Sequence, residues 1–296
     1  MKTKYLHKPL SQTNAKSRSF FKKASTRDLL YIGYGSLVVL LVLLSYLAGA
    51  FSWLPHDPDE MNLDLMMADP FVAGHLLGTD FMGRDLFSRL VLGIQAYFIP
   101  GLMAIVIALS LGTFLGVLAG YEGGKVDRAA TYINNLLDSI PRMVLILLVV
   151  ALFKPDVYYI MFVVGVTAAP VVALQIKNKI IYLKQKNFIE SAIAIGLPKP
   201  TIIFKHILWH NCRSILIIQA SLCMAEAILI ETSLSYLGFG VQEPIPSWGN
   251  MVQAGANYLM QGHLWPSTAP ALAILFTILG FYLLADGLNK VLEEKQ

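Results

Sequence analysis

Charge is what this chain has least of. Asp, Glu, Lys and Arg make up 14% of its 296 residues, where a soluble globular domain carries about a quarter. Cysteine is nearly missing as well. The two present, Cys212 and Cys223, exclude a disulfide framework and read as small apolar filler. A phosphate-cradling loop is absent. The run from Gly120 to Val126 has its glycines at the wrong spacing for GxxxxGK[ST], and Val126 stands where a magnesium-binding hydroxyl belongs. It reads as a tight turn. His206 and His210 are four apart, but Ile207 replaces the glutamate that a zinc protease needs, and no further ligand is near. No Ser/His/Asp or Cys/His arrangement stands out. These absences leave an enzyme, a bound cofactor and a metal site in this chain without support.

Long apolar runs are abundant. Residues 29–56, 90–121, 157–176 and 244–285 contain no Asp, Glu, Lys or Arg. Each reaches the roughly 20 residues that cross a bilayer. Two further spans, about 129–153 and 214–237, carry a few charges. The pattern predicts an all-α integral membrane protein with six transmembrane helices near 29–52, 98–120, 129–153, 157–177, 214–237 and 268–289. The first run exceeds the ~7–15 residues of a cleaved signal core and reads as an uncleaved anchor.

Orientation follows from the bases. Nineteen of the 23 Lys and Arg fall in the leader, the 120–128 turn, the 177–213 loop and the C-terminus. Arg84, Arg89 and Lys154 fall on the other side, and Arg142 lies within a span. The positive-inside rule places both termini and the 177–213 loop in the cytoplasm. The net charge of +4 is therefore a topology signal facing a lipid bilayer, since a nucleic-acid footprint needs bases clustered on one folded face. The leader reads as a mobile tail or a surface helix, with Phe20, Phe21, Lys22 and Lys23 at the headgroups.

Several side chains stand out along the chain. In the outer loop Asp80 is expected to cap a helix whose apolar positions are Leu86, Phe87, Leu90, Val91 and Ile94, with Asp85 and Arg89 paired on its polar side. That helix should lie on the outer membrane surface and lead into the second span. Gly112, Gly116 and Gly120 follow at GxxxG spacing, which favours close helix packing with no particular partner. Asp138 and Arg142 are expected to pair on one face of the third span, straddling a kink at Pro141. In the fifth span Glu226 and Glu231 are about 140° apart around a helix, so they do not form a two-carboxylate site. Glu231 is expected near solvent at the outer end, and Glu226 on a polar path or beside Arg142.

The longest polar insertion is the most informative. Residues 188–195 predict a short helix, Gly196 a sharp turn, and Pro198 and Pro200 a stop followed by a restart. Mere reversal would need only a few residues. This segment, Glu190-Ser-Ala-x3-Gly…Phe204-Lys-His-Ile-Leu, resembles the EAA loop of ABC importer permeases. Three other strings agree in order and spacing: Leu77-Gly-Thr-Asp-Phe-Met-Gly-Arg-Asp-Leu-Phe-Ser-Arg-Leu, Leu137-Asp-Ser-Ile-Pro, and Leu234-Ser-Tyr-Leu-Gly-Phe-Gly-Val-Gln-Glu-Pro-Ile-Pro-Ser-Trp-Gly-Asn. With the terminal Leu284-Ala-Asp-Gly-Leu they resemble the C-type permease subunits of the dipeptide/oligopeptide/nickel ABC family over about residues 75–290. Ser191, Trp209 and Arg142 depart from that pattern.

The resemblance implies a type I importer permease (MetI-like) fold in a bacterial inner membrane. It implies a homologous B-type permease, two cytoplasmic ABC ATPases that bind ATP and Mg, and an extracytoplasmic solute-binding protein that usually delivers peptides. It assigns ATPase coupling to Glu190, Ser191, Ala192, Gly196 and His206. It makes Gly78, Thr79, Asp80, Gly83, Arg84 and Asp85 an outer signature, and leaves Asp138, Arg142, Glu226 and Glu231 as pathway or gating candidates. The expected organisation is a basic tail over 1–28, a first helix and outer loop over 29–75, and a permease core over 76–296. Two other readings are a self-contained secondary transporter or channel using the intramembrane acids, and a membrane scaffold. The first predicts internal repeats, and the second leaves the long loop unexplained.

Overall fold

The computed structural model describes residues 25–153 and 156–293; the basic leader expected to be a tail or surface helix lies outside them up to residue 24. The regular structure of the described residues is helical, with one isolated β-bridge between Thr79 and Asp85. Among the described residues five helices are long and apolar enough to cross a membrane, and a bent pair makes a sixth if counted as one span.

In chain order, α1 runs over Thr26–Ala50, and a long irregular loop then leads to the short α2, Leu86–Leu92. Helix α3 covers Gln95–Val117 and closes in a wider turn at Leu118–Glu122. Helices α4, Gly124–Asp138, and α5, Arg142–Leu152, follow. Helix α6, Val157–Lys184, precedes the short α7, Asn187–Ala194. A helical segment from Lys199 widens over Ile202–Cys212 and continues into α8, Arg213–Tyr236. Helix α9, Trp248–Ala256, and the terminal α10, Trp265–Glu293, complete the fold.

The small residues have definite partners. A Cβ added to Gly112 would lie 2.6 Å from the Ala169 carbonyl, and one on Gly116 would lie 2.7 Å from that of Ala173. The GxxxG face of α3 therefore lies directly on α6, and Gly165 of α6 meets the Ala104 carbonyl at 2.8 Å in return. Backbones this close gain dispersion contacts that larger side chains would hold apart. Helix α1 is held the same way on α10, where a Cβ on Gly280 would stand 2.6 Å from Val38. Much of the rest of α1 is exposed, including Leu37, Leu40, Leu41 and Leu44. An apolar helix with an exposed apolar surface is at rest only in lipid or against another protein.

The third expected span is where the structure differs most. Residues 139–141 leave the helix, and α4 and α5 meet at 71°. Pro141, with ψ 119°, is the N-cap of α5 and not a kink inside one helix. Proline supplies no N–H to the preceding turn, and it pushes the residue before it away from helical geometry. Asp138 thus ends one helix and Arg142 begins another, so they share no helical face.

At 1.5 Å per residue, the 28 residues of α6 extend about 42 Å, beyond a hydrocarbon core of ~30 Å. Helix α8 and the segment before it are longer still. The surplus of both helices lies at the end that carries α7, and there they frame an elbow.

Candidate functional site

The elbow is a small packed unit. Ile189 and Ala192 of α7 are buried together with Ile202, Ile207 and Cys212, against Ile176, Ile180 and Leu183 of α6. Positions 189 and 192 are three apart and face inward together, which leaves Glu190 and Ser191 exposed. Gly196 adopts φ +81°, and an added Cβ would meet nothing within 4 Å. Glycine is needed there for backbone conformation, not for space. His206 is half-buried, and its carbonyl accepts from Asn211 Nδ2 at 2.6 Å. Lysines brace the elbow against the body. Lys184 Nζ donates to the Tyr121 carbonyl at 2.7 Å, and Lys199 stands 3.7 Å from Glu122. Lys177 pairs with Asp127 at 2.5 Å, tying α6 to α4. Phe188, Ile193, Ile195, Phe204 and Trp209 remain exposed around the elbow.

At the opposite end the signature string forms a latch. Gly78 and Gly83 have φ of +76° and +73°, and a Cβ on either would collide with the backbone carbonyl of Ala68 or Asn62. Thr79 Oγ1 donates to the Leu65 carbonyl and accepts from the Ala68 N–H at 2.9 Å. Asp80 was expected to cap α2, but the N-cap is Asp85, whose Oδ2 accepts the Ser88 N–H at 2.7 Å. Asp80 instead turns its own loop, accepting the N–H groups of Met82 and Arg84 at 2.8 and 3.0 Å. Its other oxygen takes Arg84 Nε at 2.7 Å and lies 3.6 Å from Arg89 Nε.

Both arginines are 1% exposed. The expected surface pair of Asp85 and Arg89 is not formed: both are buried, and Arg89 pairs with Asp80, Asp59 and Glu243. Glu243 also takes Arg84 Nη1 at 3.0 Å. Glu243, more than 150 residues away in sequence, is the closing partner that sequence reasoning missed. Its local signal was only a place in the 234–250 string. That string owes its shape to a capping box, in which Ser247 and Asn250 exchange side chain-to-backbone bonds at the start of α9. Trp248 Nε1 then donates to the Leu90 carbonyl at 2.8 Å, fastening α9 to α2.

Between the two ends lies a polar break. Arg142 Nη1 pairs with Glu226 Oε1, and Arg142 Nη2 donates to the Thr167 carbonyl at 3.1 Å. Among the described residues Arg142 has its ion pair with Glu226 and none with Asp138, which replaces the expected pairing. Asp138 still lines the same cavity of about 340 Å³, with Arg142, Thr167 and Glu226. A second cavity, of about 200 Å³, is also lined by Arg142 and Glu226. The pair therefore stands between two hollows. Glu231 does not meet solvent as expected: it is fully buried, and its Oε1 accepts from Ser235 Oγ at 2.6 Å. The outer end of α8 packs under α9, where a Cβ on Gly249 would lie 2.8 Å from Ser235 Cβ.

This architecture defines a multi-pass membrane protein, with closely packed small-residue helices, a broken span at a half-buried ion pair, and a braced elbow. Residues 112–296 match the family described as binding-protein-dependent transport system inner membrane component. The chain is 33% identical over 283 residues to the oligopeptide transport system permease protein OppC of Haemophilus influenzae, covering 95% of this chain and 88% of that one. It is 33% identical over 280 residues to the glutathione transport system permease protein GsiD of Pectobacterium atrosepticum, covering 94% and 91%. One solved structure, titled as inward facing conformations of the MetNI methionine ABC transporter, overlaps with a TM-score of 0.49 at 20% identity, over 71% of this chain and 94% of that one. The chain belongs to the binding-protein-dependent permease family of the inner membrane. It is a transport subunit and not an enzyme, since ATP hydrolysis in such systems resides in other subunits.

Proposed function

We propose that this chain is the C-type half of a peptide importer of the type I ABC class, with six spans and both termini in the cytoplasm. The two relatives above are named for oligopeptide and glutathione transport, and both cargoes are peptides with free charged ends. The observation that carries the reading is the elbow. It pairs a rigid buried core with an exposed apolar rim, on the side where the lysines gather. Such a rim calls for a protein partner. A cytoplasmic ATPase pair that binds ATP and Mg fits there, and a second, homologous permease covers the exposed apolar helices. The latch end faces an extracytoplasmic solute-binding protein.

When the ATPases close, the elbow moves as one body and carries α6 and α8 with it. A differential affinity of the ATPases for two elbow positions is what would shift the balance between inward-open and outward-open states. Arg142 and Glu226 lie on α5 and α8, so a relative motion of those helices changes their contact. The pair acts as a charge lock across the pathway, with Asp138 beside it as a second acid.

The break between α4 and α5 favours one other reading, because secondary transporters place ion sites at interrupted helices. Reconstitution separates the two. Co-expressed with the partner subunits proposed above, the chain is expected to co-purify with ATPase and a second permease, and to take up a labelled tripeptide only with ATP and the binding protein. Ion-driven uptake by the chain alone would overturn the proposal. Within the working importer, Glu226→Gln is expected to raise the basal ATPase rate or the leak of peptide several-fold. Unchanged basal rate, leak and uptake would remove the lock.

A further inference from the structure

We propose that His56, His75 and Asp85 form a binding site for a divalent transition-metal ion, zinc above all, on the loop between α1 and α2. The sequence places these residues far apart, and the fold brings them together. Their ligand atoms all lie within 4.8 Å of one another. His75 Nδ1 is 2.7 Å from Asp85 Oδ1, and His56 Nδ1 is 3.7 Å from the same oxygen. The two imidazole rings are 4.4 Å apart between centroids.

An ordinary buried hydrogen bond accounts for His75 and Asp85. It does not account for His56, whose Nδ1 is buried without a hydrogen-bond partner. The His56 backbone is also held, its N–H donating to Ser88 Oγ at 3.3 Å in the first turn of α2. His56 Nδ1 stands 3.7 Å from Asp85 Oδ1, beyond hydrogen-bond reach, so no direct bond joins the two. A cation supplies what that gap lacks.

Ligands at 2.0–2.1 Å around a tetrahedral zinc lie on the order of 3.3 Å apart. The separations of 2.7 and 3.7 Å from Asp85 Oδ1 bracket that value. On binding, the proton that His75 Nδ1 now donates moves to its Nε2, a change of tautomer with no net loss of a proton. Asp85 Oδ2 keeps the Ser88 N–H that caps α2, so the ion and the cap use different oxygens. Two imidazoles and one carboxylate suit zinc and its neighbours and not Mg²⁺ or Ca²⁺, which want oxygen ligands. His56 is about one-third exposed, which gives the ion an entry route and leaves room for water as a fourth ligand. The bound ion would tie the segment after α1, the middle of the loop and the start of α2 into one unit beside the latch.

The test uses the full chain purified in its assembled complex through a histidine-free tag, treated with chelator, and titrated with zinc chloride in the presence of excess magnesium. One zinc per chain is expected, with a rise in thermal midpoint that follows zinc concentration. His56→Ala, which spares the His75–Asp85 hydrogen bond, should weaken binding at least about tenfold, the low end of what even an indirect partner of a metal costs. His56→Asn should do the same, and its thermal midpoint without zinc should match that of the parent. A double His206→Ala, His210→Ala chain should bind as the parent does. Absence of a stoichiometric zinc, zinc retained by both His56 variants, or zinc lost with His206 and His210 instead would each overturn the proposal.

Discussion

Asp80→Ala is expected to cost about 3–5 kcal/mol of stability, the range for removing one partner of a buried ion pair. The reason is local. Asp80 is 5% exposed and faces two arginines that are each 1% exposed. Its loss leaves Arg84 and Arg89 sharing Glu243, and it strands the N–H groups of Met82 and Arg84 as well. Because Glu243 remains, the lower end of the range applies. Asp80→Asn should lie between the parent and the alanine variant, keeping an acceptor for the turn but no charge. Chemical or thermal unfolding in detergent, followed by tryptophan fluorescence, measures this directly. A change below about 1 kcal/mol would show that the latch is a surface feature.

The second large effect concerns motion and not stability. Gly196→Val is expected to keep most basal ATP hydrolysis by the complex and to lose nearly all coupled peptide uptake. The backbone at Gly196 has φ +81°, where a β-branched residue is a genuine outlier. The strain is only about 1–2 kcal/mol, too little to unfold the protein but enough to re-aim a short helix. Gly196→Asp should be milder, since Asp visits this conformation more readily. Both variants need uptake and hydrolysis measured on the same preparation. Uptake and hydrolysis falling in step would mean that the elbow had been damaged rather than uncoupled.

The spans and the elbow were legible because their signals are local. Hydropathy over about 20 residues, a lysine gradient, and a helix–glycine–proline order all sit within short windows. The two acids of α8 were placed on different faces by their five-residue spacing, and the structure gives them different surroundings: Glu226 in a cavity wall, Glu231 in the interior. What the local signal missed was the roof that α9 places over the outer end of α8, which removes the solvent expected beside Glu231.

The cap of α2 shows a different limit. Two aspartates precede the apolar run, and the turn at Gly83 leaves only Asp85 in position for the first N–H groups. Pro141 was expected to bend one helix; the chain instead ends one helix and begins another there, so the i, i+4 rule did not apply. The remaining misses are long-range. Glu243 closes the latch on Arg84 and Arg89, and His56 reaches His75 and Asp85, across separations that no periodicity in one sequence reports.

A nucleotide-driven partner in the cytoplasm is expected to grip the elbow. Ser191 is exposed on α7, while the two native cysteines, Cys212 and Cys223, are both buried. Ser191→Cys therefore offers one accessible thiol on an otherwise quiet background. Labelled with a photoreactive maleimide in the assembled importer, it is predicted to cross-link to the ATPase subunit, with a yield that changes when ATP is added. Labelling from the outer face of intact cells, or cross-links to lipid alone in a complex that hydrolyses ATP, would contradict the account.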